Sequence, residues 1–388
     1  MSRTDSCPIC GSGTDPLLRI PFNKKLNLPT EVAIRHCSPD NFLFVAAGDQ
    51  RDYDEYYKSL VNDSYHAEVA RGNLRSPISQ VQQAHLSEAL GDFFDHPRRV
   101  LDFGCGEACL LVELAIDCPS STFVGYDPGP AARTGSQKAN LLKLDNLSVS
   151  QEQPDAKRGS YDLLIASHVL EHLLEFDSLG SFHSLLRENG LLYIEVPDAL
   201  GYDSHRREEF LYYFDRLHVN HFTPQALAAL GSQYGFGQVR SFHYEFPYRD
   251  GGQYPALGML FRKGQHSGKL TSPSVLESVN HYINKEQQRA QQIAAGLETF
   301  PGVLIWGAGD NFFRSMANSG PLSQLENMVL LDKRLQEITI GTRIYRTESP
   351  IDGIRKYPWP VVITISEGRG PLRDQVKQID PGRSVSYL

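Results

Sequence analysis

Four groups of residues in this chain have the types and spacing that chemistry requires. Asp102-Phe103-Gly104-Cys105-Gly106 sets a carboxylate just ahead of two glycines, and glycine lets a ligand approach backbone that a Cβ would block. Asp127 follows about 20 positions later, where an acid at the end of a second strand accepts hydrogen bonds from a ribose. The pattern is not G-x-G-x-x-G, because Cys109 stands where the third glycine would be. Ser167-His168-Val169-Leu170-Glu171-His172 is the second group and sets His168 and His172 behind an apolar run. His218 and His221 are the third; a neutral imidazole near pH 7 is a natural general base, and either ring could instead bond a backbone carbonyl. The fourth is Cys7-Pro8-Ile9-Cys10 with Cys37 and Asp40, or with His36 in place of Asp40. Its spacing suits a closed Cys3Asp or Cys3His zinc site of structural role, or a knuckle that has lost its metal. The histidines from His168 to His243 contain no His-Glu-x2-His pattern, so no catalytic metal is expected.

Those residues need elements to hold them. Residues 98–103 read as a strand running into the glycine turn, and Leu110, Leu111 and Leu114 mark one face of the helix beyond it. That helix aims its first N–H groups at the turn. Ser121 to Tyr126 reads as the second strand, Ala131 to Leu142 as a helix and Ser148 to Gln151 as a short third strand. Gln153 or Asp155 follows at a position suited to an adenine contact. Tyr161 to Ala166 and Gly190 to Val196 are continuous apolar strands, as in a parallel sheet buried on both faces. Ligands of such sheets bind beyond the carboxyl ends of the strands, so the loop from Ser167 should face the ligand. Thr223 and Pro224 are the N-cap and first position of a helix just behind His218 and His221.

Upstream, Asp52 to about Phe94 is a polar, tyrosine-rich helical segment. Downstream, residues 265–298 read as a polar linker and a long helix. The strand, glycine-turn, helix, strand pattern then recurs in Val303 to Trp306, Gly307-Ala308-Gly309, Asn311 to Met316 and Met328 to Leu331 with Asp332. Alternating strands and helices give an α/β class with a doubly wound core. The expected division is 1–50 (knuckle-like), 51–95 (helical), 96–264 (nucleotide-binding core), 265–300 (linker helix) and 301–388 (a second, smaller Rossmann-like unit).

The 388 residues carry 40% hydrophobic and 22% charged residues and a net charge of −8. Such a balance suits a soluble globular protein and provides no nucleic-acid footprint. No apolar run approaches the roughly 20 residues of a membrane span, and Met1 to Cys7 lacks the apolar core of a signal peptide. Six cysteines make no disulfide scaffold in a chain of this length. A cytoplasmic location is expected.

Asp102-Phe103-Gly104-Cys105-Gly106, with its strand, helix and Asp127, resembles motif I of the class I S-adenosylmethionine-dependent methyltransferases. Ser-His-Val-Leu-Glu-His at 167–172 is similar to their fourth motif. The order of cysteine knuckle, motif I domain and small Rossmann-like C-terminal domain resembles the nucleotide-sugar C-methyltransferase family, the relatives of the dTDP-sugar 3-C-methyltransferase, over nearly the whole chain. That resemblance implies zinc on Cys7, Cys10, Cys37 and Asp40. It implies S-adenosylmethionine held by Asp102, Gly104, Gly106 and Asp127 beside His168 and His172, and a nucleotide-linked ketosugar against the C-terminal domain. The family enolises its sugar with a histidine in a motif like Tyr-Asp-Glu-His-Val-x-x-Phe-Ser. The matching run Asp215 to Thr223 puts His218 in that role, with His221 in reserve. Asp215 and Leu217 replace the family's tyrosine and glutamate, and Asp250-Gly251-Gly252-Gln253 loosely echoes its His-Gly-Gly-Ser segment. Alternatives are O- or N-methylation of a small metabolite, an NAD(P)-dependent oxidoreductase using Gly307, Gly309 and Asp332, and a binding protein without turnover. Oligomeric state is not legible.

Overall fold

The computed structural model describes residues 5–46, 48–59, 74–154, 158–205, 209–247, 253–264, 268–318, 325, 327–334, 337–340, 343–365 and 369–388. Asp155 and the segment Asp250-Gly251-Gly252 lie outside the described residues.

The chain opens with three antiparallel strands, β1 (Asp15–Pro21), β2 (Glu31–Cys37) and β3 (Phe42–Val45). Helices α1 (Gln50–Ser59) and α2 (Pro77–Leu90) lead into the central unit. There, β4 (Arg99–Phe103), α3 (Cys109–Asp117), β5 (Thr122–Tyr126), α4 (Ala131–Leu141), β6 (Leu147–Ser150), β7 (Tyr161–Ser167), α5 (Ser178–Leu185) and β8 (Leu186–Pro197) alternate strand and helix. A short β9 (Asn220–His221) precedes α6 (Pro224–Gln233) and the long hairpin β10 (Phe236–Pro247) and β11 (Gln253–Lys263).

The central sheet runs β10-β11-β8-β7-β4-β5-β6, parallel from β8 to β6, with β11 antiparallel to its two neighbours. From β4 the chain steps one way to β5 and β6 and then returns to β7 on the other side. The order therefore reverses beside β4, which opens a crevice at the carboxyl ends of β4, β5 and β7. Burial explains the apolar runs: Leu163, Leu164, Ile165 and Ala166 of β7 are all inaccessible to solvent, as a strand covered on both faces requires.

The C-terminal part begins with α7 (Val275–Leu297), followed by β12 (Val303–Trp306), α8 (Asp310–Asn318), β13 (Met328–Leu331), β14 (Glu337–Ile340), β15 (Arg343–Arg346), α9 (Pro350–Lys356), β16 (Val361–Ile363), α10 (Arg369–Ile379) and β17 (Val385–Tyr387). Its parallel sheet runs β13-β12-β16-β17, and β14 and β15 form a separate hairpin. The molecule is thus mixed α/β, with a Rossmann-like central sheet and smaller sheets at each end. No helix among the described residues is long and apolar enough to cross a membrane.

One pairing matters more for the site than its size suggests. β9 joins the edge of the N-terminal sheet, with Leu43 opposite His221 and Phe44 opposite Asn220. Val45 N donates to Val219 O at 2.9 Å, and Val219 N donates to Glu171 O at 2.7 Å. The strand carrying His221, and His218 just before it, is therefore held between the N-terminal sheet and the loop that follows β7. Behind it, Thr223 caps α6 by accepting from Ala226 N at 3.1 Å, as its sequence position predicts.

Candidate active site

The glycine turn folds as it does because two positions hold a left-handed backbone and one of them has no room for a side chain. Gly104 has φ +81, and a Cβ on it would stand 2.5 Å from Val169 Cγ2 in the loop beyond β7. Gly106 has φ +53 with nothing within 4 Å of where its Cβ would lie, so the turn is open on the crevice side. Both conformations lie in the left-handed region that glycine alone adopts without strain. Gly104 N and Cys105 N donate to Tyr126 O at 2.7 and 3.0 Å, which ties the turn to the end of β5. Asp127 completes the tie, its two oxygens accepting from Gly106 N at 3.0 Å and Gly129 N at 2.7 Å. Each carboxylate oxygen has a second lone pair, so Asp127 can brace the turn and still accept from a ribose. Cys109, in the third-glycine position, turns instead to Lys138 Nζ at 3.0 Å, and Lys138 also pairs with Glu107 at 2.8 Å. Asp102 is buried on β4; that burial, with Asp127 and Glu195 adding like charge, pushes its carboxyl up to about 8. Gln153 is exposed beyond β6.

His168 sits at φ +53 at the end of β7, with its N–H donating to Glu195 O at 2.8 Å. Its ring is held between two buried carboxylates, Nδ1 to Glu171 Oε1 at 3.1 Å and Nε2 to Glu195 Oε1 at 3.5 Å. Burial disfavours the imidazolium, but the hydrogen bonds it donates to Glu171 and Glu195 outweigh that and raise His168 to about 10. Glu195, near the end of β8, also accepts from Ser167 Oγ at 2.8 Å, Gln82 at 3.0 Å and Tyr193 OH at 2.9 Å. Burial pushes its carboxyl up, yet the bonds from His168, Ser167 and Gln82 leave it below the ordinary value. His172 packs its ring against Tyr57 and His218, with centroids at 5.4 and 5.1 Å.

His218 lines a cleft of about 390 Å³ between the segment before β9 and the C-terminal sheet. Glu209, Asp215, Asp310, Arg314 and Thr364 also face it. Arg314 is buried and pairs with Glu209 at 2.6 Å. Burial and the surrounding His172, His221, His168 and Arg314 hold the His218 ring well below its usual value, so it is neutral. His221 is fully buried on β9, its Nδ1 3.0 Å from Tyr202 OH; burial alone lowers it to about 3. The two histidines thus part company: His218 meets the cleft and His221 the core.

Cys7, Cys10, Cys37 and Asp40 converge, all four ligand atoms lying within 4.8 Å of one another. Cys7 Sγ is 3.2 Å from Asp40 Oδ2, and Cys10 Sγ is 3.6 Å from Cys37 Sγ. His36 is buried outside this cluster. In the C-terminal unit, a Cβ on Gly307 would meet Ile365 Cγ1 at 2.3 Å, so packing alone accounts for that glycine. Asp332 turns to the N–H of Arg334 at 2.8 Å.

Sequence reasoning had no signal for Glu195 as a charge partner of His168, nor for Arg314 on the cleft, because both are brought in from other elements. Glu171 was quoted within its motif, but its approach to His218 depends on the pairing of β3 with β9.

Residues 78–240 match the sequence profile of a methyltransferase domain family. The chain is similar to the malonyl-[acyl-carrier protein] O-methyltransferase of Halalkalibacterium halodurans, 30% identical over 130 residues, which are 31% of this chain and 47% of that protein. It is also similar to the trans-aconitate 2-methyltransferase of Methylobacterium radiotolerans, 29% identical over 111 residues, 28% of this chain and 42% of that protein. The chain spans less than half the length of these curated relatives. Among solved structures, the Burkholderia thailandensis 1,6-didemethyltoxoflavin-N1-methyltransferase aligns at 16% identity and a TM-score of 0.40, covering 63% of this chain and 100% of that one. The profile match falls on the sheet that holds the glycine turn and the spaced Asp127, and it identifies this central part of the chain as a class I S-adenosylmethionine-dependent methyltransferase domain.

Proposed function

We propose that the whole chain is an S-adenosylmethionine-dependent methyltransferase that C-methylates a nucleotide-linked ketosugar or a similar small metabolite held in the cleft beside His218. The observation that carries this reading is the position of His218: a neutral imidazole on the cleft wall, next to Val219, which is bonded to the loop beyond β7. Asp102, Gly104, Gly106 and Asp127 hold the cofactor at the turn, with His168 and His172 on the adjoining loop. The cofactor, when bound, supplies an electrophilic methyl group on sulfur. His218 accepts the proton from the carbon next to the acceptor's ketone, and the freed electron pair forms the new bond to the methyl carbon as the carbon–sulfur bond breaks. Aligning nucleophile and methyl in this way supplies several kcal/mol without further help from the protein. His221 packs against Tyr202 and Phe214 in the core, three residues beyond His218.

Zinc fits the N-terminal cluster, since three thiols and one carboxylate within reach of one another match a closed structural site. Cys7, Cys10, Cys37 and Asp40 would hold it, and its role would be to lock the sheet that carries β9.

Calorimetry with S-adenosylhomocysteine tests the cofactor half. Wild type binds and Asp127→Ala binds much more weakly; equal binding by both, or none by either, would sink the assignment. Deuterium washout next to the acceptor's ketone tests the enolising half. O-methylation, the activity named for the Halalkalibacterium relative, is the second reading, and it predicts no washout.

A further inference from the structure

Glu171 and His172 gather with His218 in an arrangement the methyl-transfer reading does not use. Ligand atoms of Glu171, His172 and His218 all lie within 4.8 Å of one another. Glu171 is 1% exposed, and its Oε2 has no hydrogen-bond partner among the described residues. Nδ1 of His218 is likewise buried without a partner. A buried carboxylate oxygen left unbonded is destabilising, so something is expected to meet it.

The surroundings narrow what that is. His172 Nδ1 lies 2.9 Å from Leu217 O. A carbonyl only accepts, so Nδ1 carries the proton and Nε2 keeps its lone pair; Nε2 is the atom nearer Glu171, at 3.9 Å. A ligating histidine that donates its other N–H to a backbone carbonyl is the common way to fix tautomer and ring direction at a metal. Glu171 is oriented in the same fashion, its Oε1 accepting from His168 Nδ1 at 3.1 Å. Two imidazoles and one carboxylate suit a borderline divalent transition ion such as zinc, and three protein ligands leave a coordination position open.

We propose that Glu171, His172 and His218 form a second metal site, distinct from the cysteine cluster, that takes a divalent transition ion and switches off the base. The proposal rests on reading His218 as that base. A neutral imidazole has one lone-pair nitrogen and one N–H. Whichever nitrogen of His218 binds the ion, the other carries the proton, so the ring then donates and no longer accepts. Metal occupancy and proton abstraction at His218 exclude each other.

The test uses Zn²⁺ alone with the full chain: equilibrium dialysis followed by metal analysis of wild type, Glu171→Gln and His172→Phe. Both substitutions nearly preserve volume, and circular dichroism reports whether each variant folds. Both should hold one equivalent fewer than wild type whatever the cysteine cluster binds, and Zn²⁺ should inhibit wild-type methyl transfer. Equal zinc content in wild type and either folded variant overturns the proposal and leaves water as the partner of Glu171. The zinc count needs no turnover, so failure of wild type to bind S-adenosylhomocysteine would remove the methyltransferase reading without touching this result.

Discussion

Gly104→Ala is the most searching perturbation of the cofactor turn, because two separate penalties meet at one atom. At φ +81 an L side chain is strained, by about 1–2 kcal/mol. The added Cβ would also stand 2.5 Å from Val169 Cγ2, well inside the ~3.5–4.0 Å of ordinary carbon contact. Relieving such an overlap in a packed site takes about 1–3 kcal/mol, so the sum is about 2–5 kcal/mol. Val169→Ala alone removes two methyl groups and should destabilise by about 1.5–2 kcal/mol. The double variant should recover the overlap and keep the backbone strain, a coupling of at least ~1 kcal/mol. Trp306 and Trp359 lie in or beside the C-terminal sheet, so indole fluorescence would report the wrong unit. Hydrogen exchange of the β4 and β7 amides, with calorimetric S-adenosylhomocysteine binding, reads the right one. Stability and affinity of Gly104→Ala within ~0.5 kcal/mol of wild type would refute the reasoning, as would additivity of the two substitutions within that margin.

The remaining predictions concern pH and the N-terminal cluster. The folded pKa of His168 is about 10, above its ordinary 6.5; its contribution is complete below about 6.5 and disappears as pH rises through about 10. Urea midpoints of wild type should therefore fall across that alkaline window, and those of His168→Gln should fall less; equal slopes would count against the Glu171–His168–Glu195 pairing. His221 has the opposite sign. Its folded pKa of about 3 lies below 6.5, so its neutral burial is favourable above about 6.5 and is lost as pH falls towards 3. His221→Phe should flatten the acid limb, as an acid titration followed by circular dichroism would show. Cys7→Ser should release zinc and loosen β3, and with it the β9 strand beside His218. The expected signature is a reduced kcat with S-adenosylhomocysteine affinity unchanged, and an unaltered kcat in the zinc-free variant would break the link between cluster and base.

Much of the central sheet was legible because its signals are local. Apolar runs such as Tyr161 to Ala166 declare buried strands, and glycines at 104 and 106 declare a turn that no other residue enters cheaply. The spacing to Asp127 follows from one strand–helix–strand passage, whose length varies little. Helix ends at Thr223 and Pro224 were equally plain, since capping is decided within three residues. β8 begins earlier than Gly190, at Leu186, because Leu186 pairs with Tyr161 of β7 ahead of a register shift that resumes at Leu191, a pairing that leaves no strand pattern in the sequence.

The choice between the two histidines of one motif was not legible. His218 and His221 have the same chemistry and near-identical sequence surroundings. Only the pairing of β9 with β3 turns His221 into the core towards Tyr202 and leaves His218 at the cleft. The same holds for Asp40 against His36, both within reach of the knuckle in sequence and separated by the turn that joins β2 to β3. The approach of Glu171 and His172 to His218 has no motif in the sequence, because His218 comes from a different loop. Residue types, turns and periodicity are properties of neighbours along the chain, so the sequence by itself determined the strands, the glycine turn and the acid at 127 that braces it. Which distant side chains share a site is a property of sheet order and edge pairing, and that the tertiary structure alone decided.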